Sequence, residues 1–201
     1  MGTETMVEEL QELIADLARE RVRAGEEDGD GLEIRLDLDP HGPVIATAAP
    51  APPATEAEIA QAEAALGRPY PPELRALLGV ANGFPGFFVA DVLLGTHGVG
   101  TEGAAGFPRE FPGSAWGGAR EHINIFYSEG DEKPQYSPDD QAECIPLATD
   151  PGSGLGTAYV VATSGNGWDE GTVVYISSGG DELYPSIRAY LRQQLEYLRD
   201  M

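Results

Sequence analysis

Cysteine occurs once in the 201 residues, at Cys144, so no intrachain disulfide can form and a cysteine-based zinc site lacks its partners. A reducing, cytoplasmic setting is the expectation. Lysine is equally scarce: Lys133 alone among 12 basic residues, a bias of GC-rich bacterial genomes without mechanistic content. Nowhere do 18 consecutive apolar residues occur, and the longest apolar runs are strand-sized, which excludes a membrane-spanning helix. The first residues carry Glu4, Glu8, Glu9 and Glu12 where a signal peptide needs positive charge and then an apolar run, so no export is expected. Basic residues are outnumbered by 34 acidic ones, for a formal charge of −22. That charge repels phosphate backbones and anionic lipid, and argues against direct nucleic-acid or membrane-surface binding.

The acidity is concentrated. Residues 1–40 hold 13 acidic and 4 basic groups, and residues 121–150 hold 8 and 1. Such charge serves solubility, or it serves a basic partner.

Met6, Leu10, Leu13, Ile14 and Leu17 recur at helical spacing, with acids early and Arg19, Arg21 and Arg23 late, which predicts a helix over 4–24. Leu32, Ile34, Leu36 and Leu38 alternate with charged residues as a half-buried strand does, and Val44-Ile45-Ala46 can return as its hairpin partner. Pro50, Pro52 and Pro53 make 48–54 an extended linker between a 1–50 appendage (helix plus hairpin) and a main domain over 51–201. Thr55 and Glu58 fit a capping box, followed by the apolar positions Ile59, Ala62, Ala65 and Leu66 and a Gly67 stop. Pro71-Pro72 opens a second short helix, ended by Gly79 and Asn82-Gly83. Strands are predicted over 87–94, 123–127, 143–147, 158–163 and 172–177, the last two as a hairpin around Asn166-Gly167. Tyr184-Pro185 opens a closing helix with Ile187, Leu191, Leu195 and Leu198 on one face. No βαβ alternation occurs, so the fold class is α+β, helices packed on an antiparallel sheet.

The familiar chemical signatures fail on context. Gly98-Val99-Gly100-Thr101-Glu102-Gly103 matches a dinucleotide fingerprint, but Gly106, Pro108 and Pro112 break the helix that must come after it. The glycine turn at 152–156 has no Gly-Lys-Ser/Thr. Residues 26–37 resemble a calcium loop in Asp28, Asp30 and Gly31, yet they begin with Glu, end with Asp, and Pro40 forbids the exiting helix. His41, His97 and His122 are dispersed, and no metalloprotease helix or serine elbow occurs. His122 is a structural or exposed histidine before it is a general base, and Cys144 a core thiol before it is a nucleophile. No catalytic residue, metal or cofactor is assigned.

Residues 53–83, with Thr55, Glu58, Glu63, Leu66-Gly67, Pro71-Pro72, Leu74, Leu77 and Asn82-Gly83, resemble the opening of the SUKH superfamily, the domain of yeast glucan-synthesis regulators and many bacterial immunity proteins. Ile145-Pro146-Leu147-Ala148-Thr149-Asp150, followed by a glycine-rich turn, is similar to that family's second landmark. The resemblance spans about residues 53–198; the N-terminal 50 residues lie outside it, and 84–142 is richer in glycine and proline than the pattern. In it Glu63, Leu66, Gly67, Pro72, Asn82, Gly83 and Asp150 are structural motif positions, with Glu63 able to tie the first helix to the body through a backbone hydrogen bond. Asn82-Gly83 would end a helix through a left-handed conformation.

The resemblance implies an α+β protein-binding module, an immunity protein that neutralises a bacterial toxin. The toxin would be a basic protein such as a nuclease, steered in by the acidic face. A regulatory or scaffolding protein with several partners is the alternative, and a small enzyme would need a pocket of convergent polar groups near His122, Trp116 or Asp150. Trp116 and Trp168, each beside glycine, are core rings under loops or exposed anchors. As partner-contact residues the sequence suggests Trp116, Trp168, Glu129, Asp131, Glu132, Asp139 and Asp140.

Overall fold

A computed structural model describes residues 3–28, 33–36, 44–88, 91–97, 99, 113–128, 143–150, 156–164, 169–177 and 180–201. In chain order the elements are α1 (Thr3–Asp28), β1 (Glu33–Leu36), β2 (Val44–Thr47), α2 (Glu56–Leu66), α3 (Pro72–Leu78), β3 (Phe84–Phe88) and β4 (Asp91–Leu93). They continue as α4 (Gly113–Ser128), β5 (Cys144–Thr149), β6 (Gly156–Val161), β7 (Val173–Ser177), β8 (Gly180–Tyr184) and α5 (Ile187–Asp200). Strands β3 to β8 form one antiparallel six-stranded meander in sequence order, and β1 and β2 form a separate hairpin. The fold class is α+β, as expected.

Local chemistry accounts for the helix ends. The Thr55 hydroxyl accepts from the Glu58 amide at 3.2 Å while the Glu58 carboxylate accepts from the Thr55 amide at 2.7 Å, a closed capping box. Gly67 ends α2 at φ 74°, a left-handed conformation natural to glycine. Pro72 starts α3 without loss, because the first-turn amide has no partner to lose.

Both faces of the sheet are covered, which is why β5 and β6 are buried along their whole length. On one face Leu10 and Leu17 of α1, Ile59 of α2, Leu77 of α3 and Leu191 of α5 share a core with Ile145, Val160 and Val173. On the other, Ile123 of α4 packs with Cys144, Tyr159, Val161, Val174 and Ile176.

Several expectations are corrected. The N-terminal helix is not an appendage: it runs to Asp28 and buries its apolar stripe against α5 and α3 in the main core. The proline-rich segment does not separate it either, since the Ala51 amide bonds to Gly83 O at 2.9 Å and the Ala54 amide to Leu78 O at 2.9 Å. Residues 123–127 are helical; the spacing of Trp116, Ala119 and Ile123, three then four, marks the buried side of α4 better than the alternation around Ile123 and Ile125 does. The strand expected over 87–94 is two strands, β3 and β4, paired with Phe88 opposite Asp91; a continuous apolar run has no period to betray a reversal. Strand β8 was not expected. It is a polar edge, Gly180-Asp181-Glu182-Leu183-Tyr184, of the kind that discourages pairing with other chains, and α5 starts beyond it with Ser186 as its cap.

One arginine ties three helices together. Arg188 of α5 donates through Nε to Glu73 of α3 at 2.6 Å and through Nη1 to Glu9 of α1. Glu73 also accepts the amides of Ile187 at 3.1 Å and Arg188 at 3.2 Å, capping α5 from another helix. Replacing Arg188 by Met should destabilise the protein by about 2 kcal/mol, because two carboxylates packed in the helix junction lose their shared counter-charge. Urea unfolding is the measurement, and a loss below ~0.5 kcal/mol would show the junction to be solvated.

Candidate functional site

The strand register assembles a polar cluster on the face that α5 covers. Val92 of β4 pairs with Thr149 of β5 and Leu93 with Ala148, so one step outward Asp91 stands across from Asp150. Val92 packs with Trp116 on the α4 side and Leu93 joins the α5-side core, so alternation turns Asp91 toward α5. The Thr149 hydroxyl faces Thr157 and, beyond it, His122 of α4, which likewise leaves Asp150 on the α5 side. Asp150 donates its amide to Gly156 O at 3.0 Å.

Gly156 is required by what lies over it. Tyr175 of β7 crosses it, and a Cβ there would sit 2.8 Å from the ring carbon Cζ. The missing side chain lets the phenol reach toward the two carboxylates. Tyr175 pairs with Glu182 on the edge strand, and the Tyr184 hydroxyl donates to the Glu182 carboxylate. From above, Tyr190 of α5 is 0% exposed, its ring 5.3 Å from that of Tyr184 in an edge-on contact and 6.3 Å from that of Phe87. Its hydroxyl is fully buried with no hydrogen-bond partner among the described residues.

Electrostatics follow from this burial. The Asp91 carboxyl is pushed up to about 7, first by removal from water and then by the charge of Asp150. Tyr175 is pushed up to about 12 by burial and by Asp91, Asp150 and Glu182. Tyr190 rises well above the ordinary phenol value, by burial first and the Asp91 charge second. The phenols therefore stay neutral at physiological pH, and the cluster offers oxygen acceptors in a site of negative potential. It is suited to receiving a positively charged hydrogen-bond donor. No group of three or more His, Cys, Asp and Glu side chains with metal-binding geometry occurs among the described residues.

On the opposite face His122 Nδ1 lies 2.7 Å from the Thr157 hydroxyl, which lies 3.2 Å from that of Thr149. Burial lowers the His122 pKa, so the ring is neutral and serves to fix α4 on β6. Cys144 is buried in the α4-side core. A separate groove of about 360 Å³ is lined by Pro52, Asn82, Phe84, Leu94 and His97 among others.

Of the residues singled out in the sequence, Asp150 alone belongs to the cluster. Glu63 accepts the Tyr70 amide at 3.0 Å and Arg75 at 2.7 Å, fastening α2 to α3 and to the turn between them. Leu66 packs at the core margin. Asn82 and Gly83 do not end a helix, which stops at Leu78 with Gly79 after it. Instead Asn82 Oδ1 accepts the Thr96 amide at 2.7 Å, and Gly83, at φ 98°, lies where a Cβ would meet Leu93 O at 3.1 Å, so the pair lets the loop pack against the chain leaving β4. Trp116 is no exposed anchor: it is 5% exposed and packs with Val92, Leu94 and Ala119. Trp168, Glu129, Asp131, Glu132, Asp139 and Asp140 lie outside the described residues, as do Gly98, most of the fingerprint after it, most of the turn at 152–156 and the Asn166-Gly167 turn. Asp91, Tyr175 and Tyr190 were missed; the one signal was Asp91, a lone carboxylate inside the apolar stretch 87–94.

No helix among the described residues is long and apolar enough to cross a membrane. Comparison with curated proteins gives no match. A family model, that of the SMI1/KNR4 family (SUKH-1), matches residues 53–193, a stretch that includes the capped α2, the Asn82-Gly83 loop, Asp150 and the clustered Asp91, Tyr175 and Tyr190. The chain belongs to the SMI1/KNR4 (SUKH-1) family.

Proposed function

We propose that this chain is a non-catalytic protein-binding module, an immunity protein that docks onto a basic bacterial toxin domain and blocks it. The observation that carries the reading is the formal charge of −22 on a member of a family that includes toxin-immunity proteins. A negative surface accelerates encounter with a basic partner and can occupy the cleft of an enzyme built to hold nucleic acid. A sheet sealed by helices on both faces supplies a rigid body, so docking needs little reordering.

Co-expression with the toxin encoded beside its gene tests this. Growth should be restored, the two proteins should co-purify, and affinity should fall roughly tenfold or more between low and high salt, as screened charge pairs require. Failure to rescue any neighbouring toxin would refute immunity, and capture of several unrelated partners in its place would identify a regulatory scaffold.

A further inference from the structure

The six-stranded sheet has two edges, and among the described residues only the one at β3 is covered. There Gly83 O accepts the Ala51 amide at 2.9 Å, Gly86 O accepts the Arg21 guanidinium at 3.2 Å, and Pro85 has no N–H to offer. At the other edge β8 pairs with β7 alone. That hairpin closes with Ser177 opposite Gly180, a hydrogen-bonded pair, so Glu182 and Tyr184 also turn their backbone groups inward, to Tyr175 and Val173. Asp181 and Leu183 alternate with them and direct N–H and C=O outward. Among the described residues these four groups have no hydrogen-bond partner. Such a row is a template for one more strand. Leu183 stands on it 45% exposed, beside Val174 on the face that α4 covers, with Asp181 on the same face and Glu182 on the other.

We propose that the outer edge of β8 is a docking site for an extended, basic segment of a protein partner, which adds to the sheet as a seventh strand. That the segment belongs to a basic partner rests on the binding-module reading above; that the edge is open does not. The backbone groups of Asp181 and Leu183 select an extended chain, because only a strand presents donors and acceptors at their spacing. Charge selects which strand. A second copy of this chain, pairing edge to edge and antiparallel, sets Glu182 against Glu182 or brings the two Asp181 side chains close, between molecules of formal charge −22. The same carboxylates attract arginine or lysine placed across from them, and an apolar residue opposite Leu183 covers it. The edge is five residues long and is followed by Pro185, so the site takes a short segment.

The probe is the peptide acetyl-Thr-Val-Arg-Arg-Thr-amide, added in large excess to the isotope-labelled full chain, with amide hydrogen exchange as the readout. In the free protein the amides of Asp181 and Leu183 should exchange fast and those of Glu182 and Tyr184 slowly. The peptide should slow the first pair roughly tenfold or more and leave the second pair as they are. Methylating the peptide nitrogens of the valine and the second arginine, which keeps every charge, should abolish the effect. Leu183→Pro removes one outward N–H without breaking the β7–β8 ladder and should weaken binding roughly fivefold or more, whereas Leu183→Thr, which keeps that N–H, should weaken it less. Asp181→Lys should weaken binding roughly threefold, and Glu12→Lys, the same charge change on the exposed side of α1, should weaken it less. Binding that survives the methylated peptide, equal losses from Leu183→Pro and Leu183→Thr, or protection of Asp181 and Leu183 that rises with protein concentration in the absence of peptide would each overturn the proposal, the last by making a second copy the occupant. Protection by the peptide with no toxin rescued would leave the edge standing as a docking site and remove the immunity reading. Toxin rescue with Asp181 and Leu183 still in fast exchange in the complex would do the reverse.

Discussion

Asp91→Asn is expected to make the protein more stable at pH 8, by about 3 kcal/mol, while leaving its stability near pH 4 almost unchanged. The carboxyl has a folded pKa of about 7 against an ordinary value of 3.8. A raised carboxyl means that the native state binds the proton more tightly than the unfolded chain does. Between those two values the folded protein holds a proton that the unfolded chain has lost, so this group's contribution falls as pH rises from about 4 to about 7 and stays low above that. Asparagine has no charge to bury and escapes the penalty. The full shift corresponds to about 4 kcal/mol, and partial solvent access brings the expectation down to about 3. Urea denaturation of both proteins at pH 4.5 and pH 8 separates this from the general self-repulsion of so acidic a chain, because repulsion acts on both and cancels in the difference. A wild type as stable as the variant at pH 8 would mean that Asp91 is solvated.

The second large effect concerns α1. Leu10 and Leu17 are 0% exposed, two turns apart on one face, and share a core with Leu191, Leu195 and Leu198 of α5. Each Leu→Ala change should cost about 3 kcal/mol, from lost transfer energy and the cavity left behind. The pair are far enough apart to be nearly additive, so the double variant should lose about 6 kcal/mol, comparable to the whole stability of an ordinary domain. Thermal unfolding followed by circular dichroism should show no cooperative transition at 37 °C or above in the double variant. A double variant that melts within a few degrees of the wild type would mean that residues 53–193 fold without α1. The outcome matters for the family, because the matched segment begins after this helix and the helix nonetheless completes its core.

Legibility in the sequence tracked the range of the interaction. The capping box at Thr55 and Glu58, the Gly67 stop, the proline start of α3 and the apolar stripes of α1 and α5 are written within four to seven residues of one another, and all form as expected. Strands β5, β6 and β7 were recognisable as β-branched and aromatic runs between turns. Helix α4 was misread because its Gly117-Gly118 pair and its isoleucines both argue against helix, and only the need to cover Cys144, Tyr159 and Val174 overrides them. The β3–β4 reversal and the edge strand β8 carry no periodic signal of their own, and pairing with their neighbours creates them.

By itself the sequence determined the charge, the helix ends, the α+β class and the likeness to the SUKH superfamily, since these depend on composition or on neighbours along the chain. The tertiary structure decided that α1 belongs to the core, that Trp116 is packing, and that Asp91, Asp150, Tyr175 and Tyr190 converge. Those four residues lie far apart in the chain, and their meeting depends on strand register and on where α5 crosses the sheet. A one-residue slip of β4 would turn Asp91 to the other face, so no local pattern can specify the site.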